Sequence, residues 1–414
     1  MQMRYDLATN FDNHLIENIA PYKIVKSIYG KLASDIVGGG RPSFTLPKIS
    51  QKELKTHIDT AHNNGIKFNY LFNALCSDNR EFIGKTNLQI RDFIKSVQDT
   101  GADIITVGSP FMLQLVKDVA PRLEVSVSVY NDIDTIEKIK AWEKLGADEL
   151  TLHYGFNRNF KELEKALQST DLNLRLIANN TCLHDCIYRS NHANALAHSS
   201  QEKHESGGFF LDFYSLNCGK EKFESPGKFI AADWIRPEDV YYYEELCNKL
   251  EKTNLSLKLT ERSRPTKWLT AVVKAYAEKS YNGNLFDILN YRNNEFAQIN
   301  KTPFIKGAIL GKANTQKMKK MSEAIFSTQI YLNNKDLSNF IELFVNGHDC
   351  SQYVCDIEGW KQEIKQKTKD SCSYCKNIAE KHLNFVGGEQ ARQQALKNAK
   401  DSISDLLSGG MFKK

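Results

Sequence analysis

Gly101-Ala102-Asp103-Ile104-Ile105-Thr106-Val107 and Gly146-Ala147-Asp148-Glu149-Leu150-Thr151-Leu152-His153 carry the same message twice: a glycine turn, then a short strand. Glycine ends the preceding helix, where only it reaches the left-handed region without strain. Outward from these two points the rhythm repeats. Extended runs lie at Ile24–Tyr29, Lys67–Phe72, Ile104–Val107, Val125–Val129, Glu149–His153, Leu174–Ala178, Phe229–Ala232 and Leu255–Leu259. Segments with apolar residues three and four apart separate them, as in Leu113-Gln114-Leu115-Val116 and Ile136-Glu137-Lys138-Ile139-Lys140-Ala141-Trp142. Strands alternating with helices require parallel pairing through right-handed crossovers. Eight such units predict an α/β fold, a closed (β/α)8 TIM-like barrel over residues 1–284.

The rhythm lapses after the sixth run. Almost fifty residues, 181–228, separate it from the seventh, and long connections at the C-terminal ends of barrel strands build active sites. Beyond residue 285 the alternation stops. Residues 285–414 are expected to form a small Cys-containing C-terminal module with a helical tail from Glu389 to Leu407.

The 414 residues are 41% hydrophobic and 25% charged, which excludes disordered and collagen-like chains. The net charge of +5 permits an anionic partner without demanding one. No apolar run approaches the roughly 18 residues of a membrane span, and Met1–Asp6 lacks a signal core, so a cytoplasmic protein with no membrane partner is expected. In a reducing compartment nine cysteines read as metal or redox chemistry rather than disulfides.

Cys182 and Cys186 stand just after the sixth run, with Cys218 further along the insertion and Cys76 after the second run. A four-thiolate site at the barrel mouth suits zinc, copper(I) or an iron–sulfur cluster, and the mixed spacing favours [4Fe–4S]. Cys247 sits at a helical core position and is assigned to packing. Cys350, Cys355, Cys372 and Cys375 form a second group, suited to zinc or a second cluster in a structural role, with the choice between Cys350 and Cys355 open.

Strand-end polar residues complete the expected site. His153, His192, Arg236, Glu261 and Arg262 are candidates for catalysis, and Arg41, Asn179, Asn180 and Arg189 for substrate binding. Arg236 and Arg262 could fork onto a carboxylate or phosphate, and the glycines before Arg41 permit close backbone approach to a ligand. No His-Glu-x-x-His or Gly-x-Ser-x-Gly occurs, and Gly307–Lys312 falls short of a phosphate-binding loop.

Asn180-Thr181-Cys182 through Cys186-Ile187-Tyr188-Arg189, His192 and Asn194, with Asp233-Trp234-Ile235-Arg236-Pro237-Glu238-Asp239 and Lys258-Leu259-Thr260-Glu261-Arg262, resembles the collagenase-like peptidase family U32. Ala74-Leu75-Cys76-Ser77-Asp78-Asn79-Arg80 is similar to the cysteine loop of its ubiquinone-biosynthesis members. The resemblance covers most of the chain. It implies a barrel holding a [4Fe–4S] cluster on four cysteines. For the best understood members it implies oxygen-independent hydroxylation of a tRNA, an rRNA or a ubiquinone precursor, with prephenate as an oxygen donor. RNA, a peptide or a small anionic molecule would be the substrate, and an electron donor protein a partner. The spacing of Cys182, Cys186 and Cys218 departs from the protease-like members. The leading expectation is an iron–sulfur-dependent hydroxylase or related oxidoreductase. A peptidase is the alternative, and a non-catalytic RNA- or peptide-binding barrel the third.

Overall fold

A computed structural model describes residues 1–205, 211–291, 314–326, 328–356 and 371–412. Eight parallel strands close into a barrel in sequence order: β1 Arg4–Ala8, β2 Val25–Gly30, β3 Lys67–Phe72, β4 Ile104–Val107, β5 Glu124–Val127, β6 Glu149–Thr151, β7 Asn173–Ile177 and β8 Leu255–Leu259. Closure is made by β1 against β8, with Tyr5 opposite Leu257 and Leu7 opposite Leu259.

The count of eight stands, but its membership differs from the sequence reading in two places. Arg4–Ala8 is the first strand, whereas Phe229–Ala232 is not a strand: Gly227–Ile230 is a helical turn. A short apolar run cannot be assigned to strand or helix by periodicity alone. Here the Trp234 indole donates to the Phe229 carbonyl at 2.9 Å, serving a helical carbonyl that a strand would have bonded to a neighbour. Every strand called first to sixth therefore moves up one place. The long connection follows β7, and Glu261-Arg262 still follows β8.

Alternation along the strands separates two environments. Leu7, Ile28, Ile105, Val125, Leu150, Leu174, Leu257 and Leu259 are wholly buried. Most of the alternate positions hold polar residues, which meet one another across the barrel. Ser27 donates to Asp6, Thr106 to Asn69 at 2.8 Å, and Ser256 to Asp6 at 3.3 Å. At the centre lies Arg175, fully buried, paired with Glu149 at 2.5 Å and with Asp6 at 3.3 Å, while Lys26 reaches Glu149 at 2.6 Å. Burial alone would raise the Asp6 carboxyl. Arg175 and Lys26 outweigh it and hold Asp6 below the usual carboxylate range.

The helices are fixed at their ends by short side chains. Ser50 and Glu53 form a reciprocal capping box on Gln51–Asn63, and Ser109, Thr135 and Asn159 cap the helices that follow them.

The chain divides into two compact units. The first comprises Met1–Asn179, Ile187–Phe210 and Ile235–Ser280, and contains the whole barrel. The second comprises Asn180–Cys186, Leu211–Trp234 and Tyr281–Lys414. Part of the connection after β7 thus groups with the C-terminal residues rather than with the barrel. Within the second unit Trp234 stacks on Phe340 and Phe340 on Tyr374, with ring centroids 5.0 and 5.7 Å apart. The tail is the helix Gly388–Leu407, and Arg392 donates to the Phe223 carbonyl at 2.6 Å. Residues 307–312 lie outside the described residues.

Removing Arg175 would leave Asp6 and Glu149 buried with Lys26 as their one remaining ion-pair partner among the described residues. Arg175→Ala is expected to cost about 3–5 kcal/mol, the usual penalty for breaking a buried ion pair. A urea midpoint unchanged from the parent would show that the axis charges do not depend on it.

Candidate active site

The C-terminal ends of the strands carry a cationic mouth. Arg262 follows β8 and is only 4% exposed. Among the described residues its guanidinium makes no hydrogen bond or ion pair, and its Nη1 is buried without a partner. Burial and the neighbouring charge of Arg41 bring Arg262 down to about 10. Arg41 pairs with Glu261 at 3.1 Å. Glu261 takes φ +104°, a backbone conformation costly for a residue with a Cβ. Its carboxylate also accepts from the Ser263 hydroxyl.

Lys258 lies one turn of the pleat inside this rim, on the same face of β8 as Ser256 and flanked by Asp6 and Ile177. Its ammonium sits 3.8 Å above the centroid of the Tyr29 ring. Burial, then Arg175, drives its amine well below the ordinary lysine range, against the opposing pull of Asp6 and Glu149. Sequence reading did not select Lys258. The available signal was the alternation Leu255-Ser256-Leu257-Lys258-Leu259, which puts lysine on the polar face of a strand that is otherwise aliphatic.

The remaining expected site residues are engaged in holding loops. Arg236 forks onto Asp239, Nε to Oδ2 at 2.9 Å and Nη2 to Oδ1 at 2.6 Å, so its charge is spent within its own turn rather than aimed at a substrate. Asn179 ties the end of β7 to that of β8: its amide oxygen accepts from the Thr260 N–H at 2.7 Å and the Thr260 hydroxyl at 3.0 Å. His153 Nδ1 accepts from Gly155 N–H at 3.1 Å, closing the turn after β6. Arg189 pairs with Asp132 at 2.8 Å and covers the Tyr154 ring. His192 lies half-buried on the helix Arg189–Ser199, and Asn180 is buried at the start of the second unit. The glycines before Arg41 serve packing. A Cβ on Gly40 would meet the Tyr130 hydroxyl at 2.5 Å, so the close approach they permit is to Tyr130.

The thiols fall into three places. Cys182, Cys186 and Cys218 share the second unit, whereas Cys76 belongs to the first, where its carbonyl accepts from Gln201. Cys218, on the helix Phe213–Glu224, is pushed up by burial, is eased by Lys222 one turn on, and feels the charge of Cys182. Beside them His184 Nδ1 meets Asp233 at 2.9 Å. Further along, Cys355 and Cys372 are register partners in a two-stranded parallel ladder, and Cys372 Sγ lies 3.6 Å from His348 Nε2. Cys350 is exposed and Cys375 half-buried on the flanks of that ladder. The donor chemistry suits a soft metal, but among the described residues no three His, Cys, Asp or Glu side chains converge on one point.

A parallel eight-stranded barrel with convergent charged groups at the C-terminal ends of its strands defines a barrel enzyme scaffold. The model of peptidase family U32 matches residues 41–319, and the chain belongs to that family. It is 26% identical over 256 residues to an uncharacterized protease of Methanocaldococcus jannaschii, covering 62% of this chain and 73% of that one. It is 20% identical over 240 residues to a tRNA hydroxylation protein of Bacillus subtilis, covering 56% of this chain and 53% of that protein, and so spans about half of that relative's length. Among solved structures it is similar to a U32 peptidase at 19% identity and TM-score 0.47, covering 64% of this chain and 95% of that one. No described helix is long and apolar enough to cross a membrane.

The two arginines that flank β8 and its preceding helix, Arg236 and Arg262, should answer oppositely to truncation. Arg236→Ala strands Asp239 in a buried site and is expected to cost about 3–5 kcal/mol. Arg262→Met removes an unpartnered buried charge and is expected to leave the thermal midpoint unchanged or raise it. A midpoint that falls as far for Arg262→Met as for Arg236→Ala would mean that Arg262 is a structural cation.

Proposed function

We propose that the chain is a peptide-directed hydrolase of the U32 family that holds a substrate carboxylate on Arg262 at the barrel mouth. One observation carries this reading: a buried guanidinium without a partner among the described residues, at the face of the barrel where substrates bind. An isolated buried charge is costly, and a bound carboxylate would supply two acceptors in the geometry of the guanidinium fork. Peptides offer that group at the C-terminus and on acidic side chains. The family membership and the similarity to a chain described as a protease support peptide as the substrate class.

Amide hydrolysis needs an activated water. Glu261 is already engaged by Arg41 and Ser263. Lys258, driven towards the neutral amine, is the group able to accept a proton from water and return it to the leaving nitrogen. Arg262 orients the substrate by its carboxylate, and Arg41 keeps Glu261 from closing onto Arg262. A panel of peptides with free and amidated C-termini, read by mass spectrometry of the products, tests this. Arg262→Met should lower kcat/KM on the carboxylate peptides about 10–100-fold, the loss expected for a charge-assisted hydrogen bond. No cleavage of any peptide by the folded parent chain would overturn the hydrolase reading.

A second reading follows from the thiols, since Cys182 is near enough to Cys218 to disfavour its charge. Cys182, Cys186 and Cys218 would supply three thiolates to a [4Fe–4S] cluster. The cluster would supply the electron transfer of an oxygen-independent hydroxylation, served by an electron donor protein. The similarity to tRNA hydroxylation proteins makes RNA the substrate class of that reading. Cys350, Cys355, Cys372 and Cys375 would hold zinc or a second cluster. Anaerobic iron, zinc and sulfide analysis separates these cases. Cys182→Ala should remove about four irons, and Cys372→Ala should remove the second metal alone. A parent chain purified anaerobically without iron or sulfide would sink the cluster.

A further inference from the structure

We propose that Lys258 is a covalent amine, and that the barrel mouth takes a 2-oxo acid as an imine on its Nζ with the ligand carboxylate on Arg262. This rests on the carboxylate site assigned above to Arg262, and extends it to a second ligand class.

The geometry starts from the allocation of charge along the axis. Asp6 and Glu149 would be the natural partners of a lysine on β8. Both are already taken, Glu149 by Arg175 and Lys26, and Asp6 by Arg175, Lys26, Ser27 and Ser256. Lys258 makes no hydrogen bond or ion pair among the described residues. Its neighbour is the face of Tyr29, whose hydroxyl is turned away to donate to the Leu259 carbonyl at 3.0 Å. The ring quadrupole favours the ammonium. Burial pushes Lys258 well below the ordinary lysine range, and the charges of Arg175 and Arg262 act in the same direction. With no acceptor bonded to it among the described residues, the nitrogen is open to a ligand carbonyl. Charged groups facing Lys258 are then Arg175 and Arg262 against it, and Asp6 and Glu149 for it.

A nucleophilic lysine held beside a carboxylate receptor selects a ligand whose carbonyl is adjacent to its carboxylate. The amine adds to the carbonyl carbon, and one N–H proton passes to the oxygen, giving a carbinolamine. The second N–H proton leaves with that oxygen as water, and the C=N bond remains. Nothing is oxidised or reduced. Protonated, such an imine withdraws electrons from the adjacent carbon, which is the use made of Schiff-base lysines in carbonyl chemistry.

The test uses the full chain with pyruvate and sodium cyanoborohydride, which delivers hydride to the imine carbon while solvent protonates the nitrogen. Intact mass should rise by one reduced pyruvate unit, and peptide mapping should place it on Lys258 in preference to the surface lysines. Lys258→Arg should abolish that label. Acetone, which lacks the carboxylate, should label Lys258 at least tenfold less. Arg262→Met should remove the preference for pyruvate over acetone. Labelling of surface lysines with Lys258 untouched in the folded parent chain overturns the proposal, and this needs no variant. Equal labelling by pyruvate and acetone in the parent would overturn the carboxylate site while leaving a reactive amine. Loss of pyruvate protection against thermal unfolding in Arg262→Met, with no Lys258 label in the parent, would retain that site and reject the amine.

Discussion

The pairing of Arg175 with Asp6 and Glu149 sets the terms for everything above it in the barrel. A parallel barrel of this kind has a packed interior, and here the packing is polar. Polar groups buried on the axis must satisfy one another or raise the free energy of the fold by several kcal/mol. One guanidinium reaches two carboxylates, and hydroxyls from Ser27, Ser126, Thr151 and Ser256 join the same network. That closed set leaves no anion for the next cation up the axis. Lys258 is unpaired because the layer beneath it is already neutralised.

The same accounting separates the mouth arginines. Three guanidiniums of the first unit come from residues that sequence position alone treats alike: Arg41, Arg236 and Arg262. Arg236 has Asp239 three residues on, within reach of its own turn. Arg41 has Glu261 across the mouth. Arg262 has neither. Fold position makes a strand-end arginine a candidate ligand group, but the presence or absence of a carboxylate within reach decides whether it is available.

Much of this was legible in the sequence. Glycine turns before Ile104 and Glu149 gave the period, and eight strands gave closure. Arg4–Ala8 escaped notice because its inward residue, Asp6, is charged, and a strand lining a polar axis does not show the aliphatic run expected of a buried parallel strand. Phe229–Ala232 misled for the converse reason: its apolar residues pack around a helical turn. For the site, Arg262 and Glu261 could be placed from the end of β8. The engagement of Asn179 with Thr260 could not, since it joins positions 81 residues apart that only closure of the barrel brings together. The Arg236–Asp239 pair was visible in Arg236-Pro237-Glu238-Asp239, had the local spacing been weighed.

A net charge of +5 over 414 residues says little about ligands, yet the local balance at the mouth is informative. Arg41 and Glu261 cancel, so what remains is the charge of Arg262 and the fraction of Lys258 still protonated. Arg262 disfavours the charge of Lys258, and both lie away from bulk water. An anion entering the mouth would relieve the burial penalty on Arg262 and return Lys258 towards its ammonium form. A carbonyl ligand would do the opposite to the amine, consuming its lone pair. The two cations are therefore coupled through whatever binds between them. A ligand that carries both a carboxylate and an adjacent carbonyl uses the pair as one receptor, whereas a simple carboxylate leaves Lys258 free to act as a base.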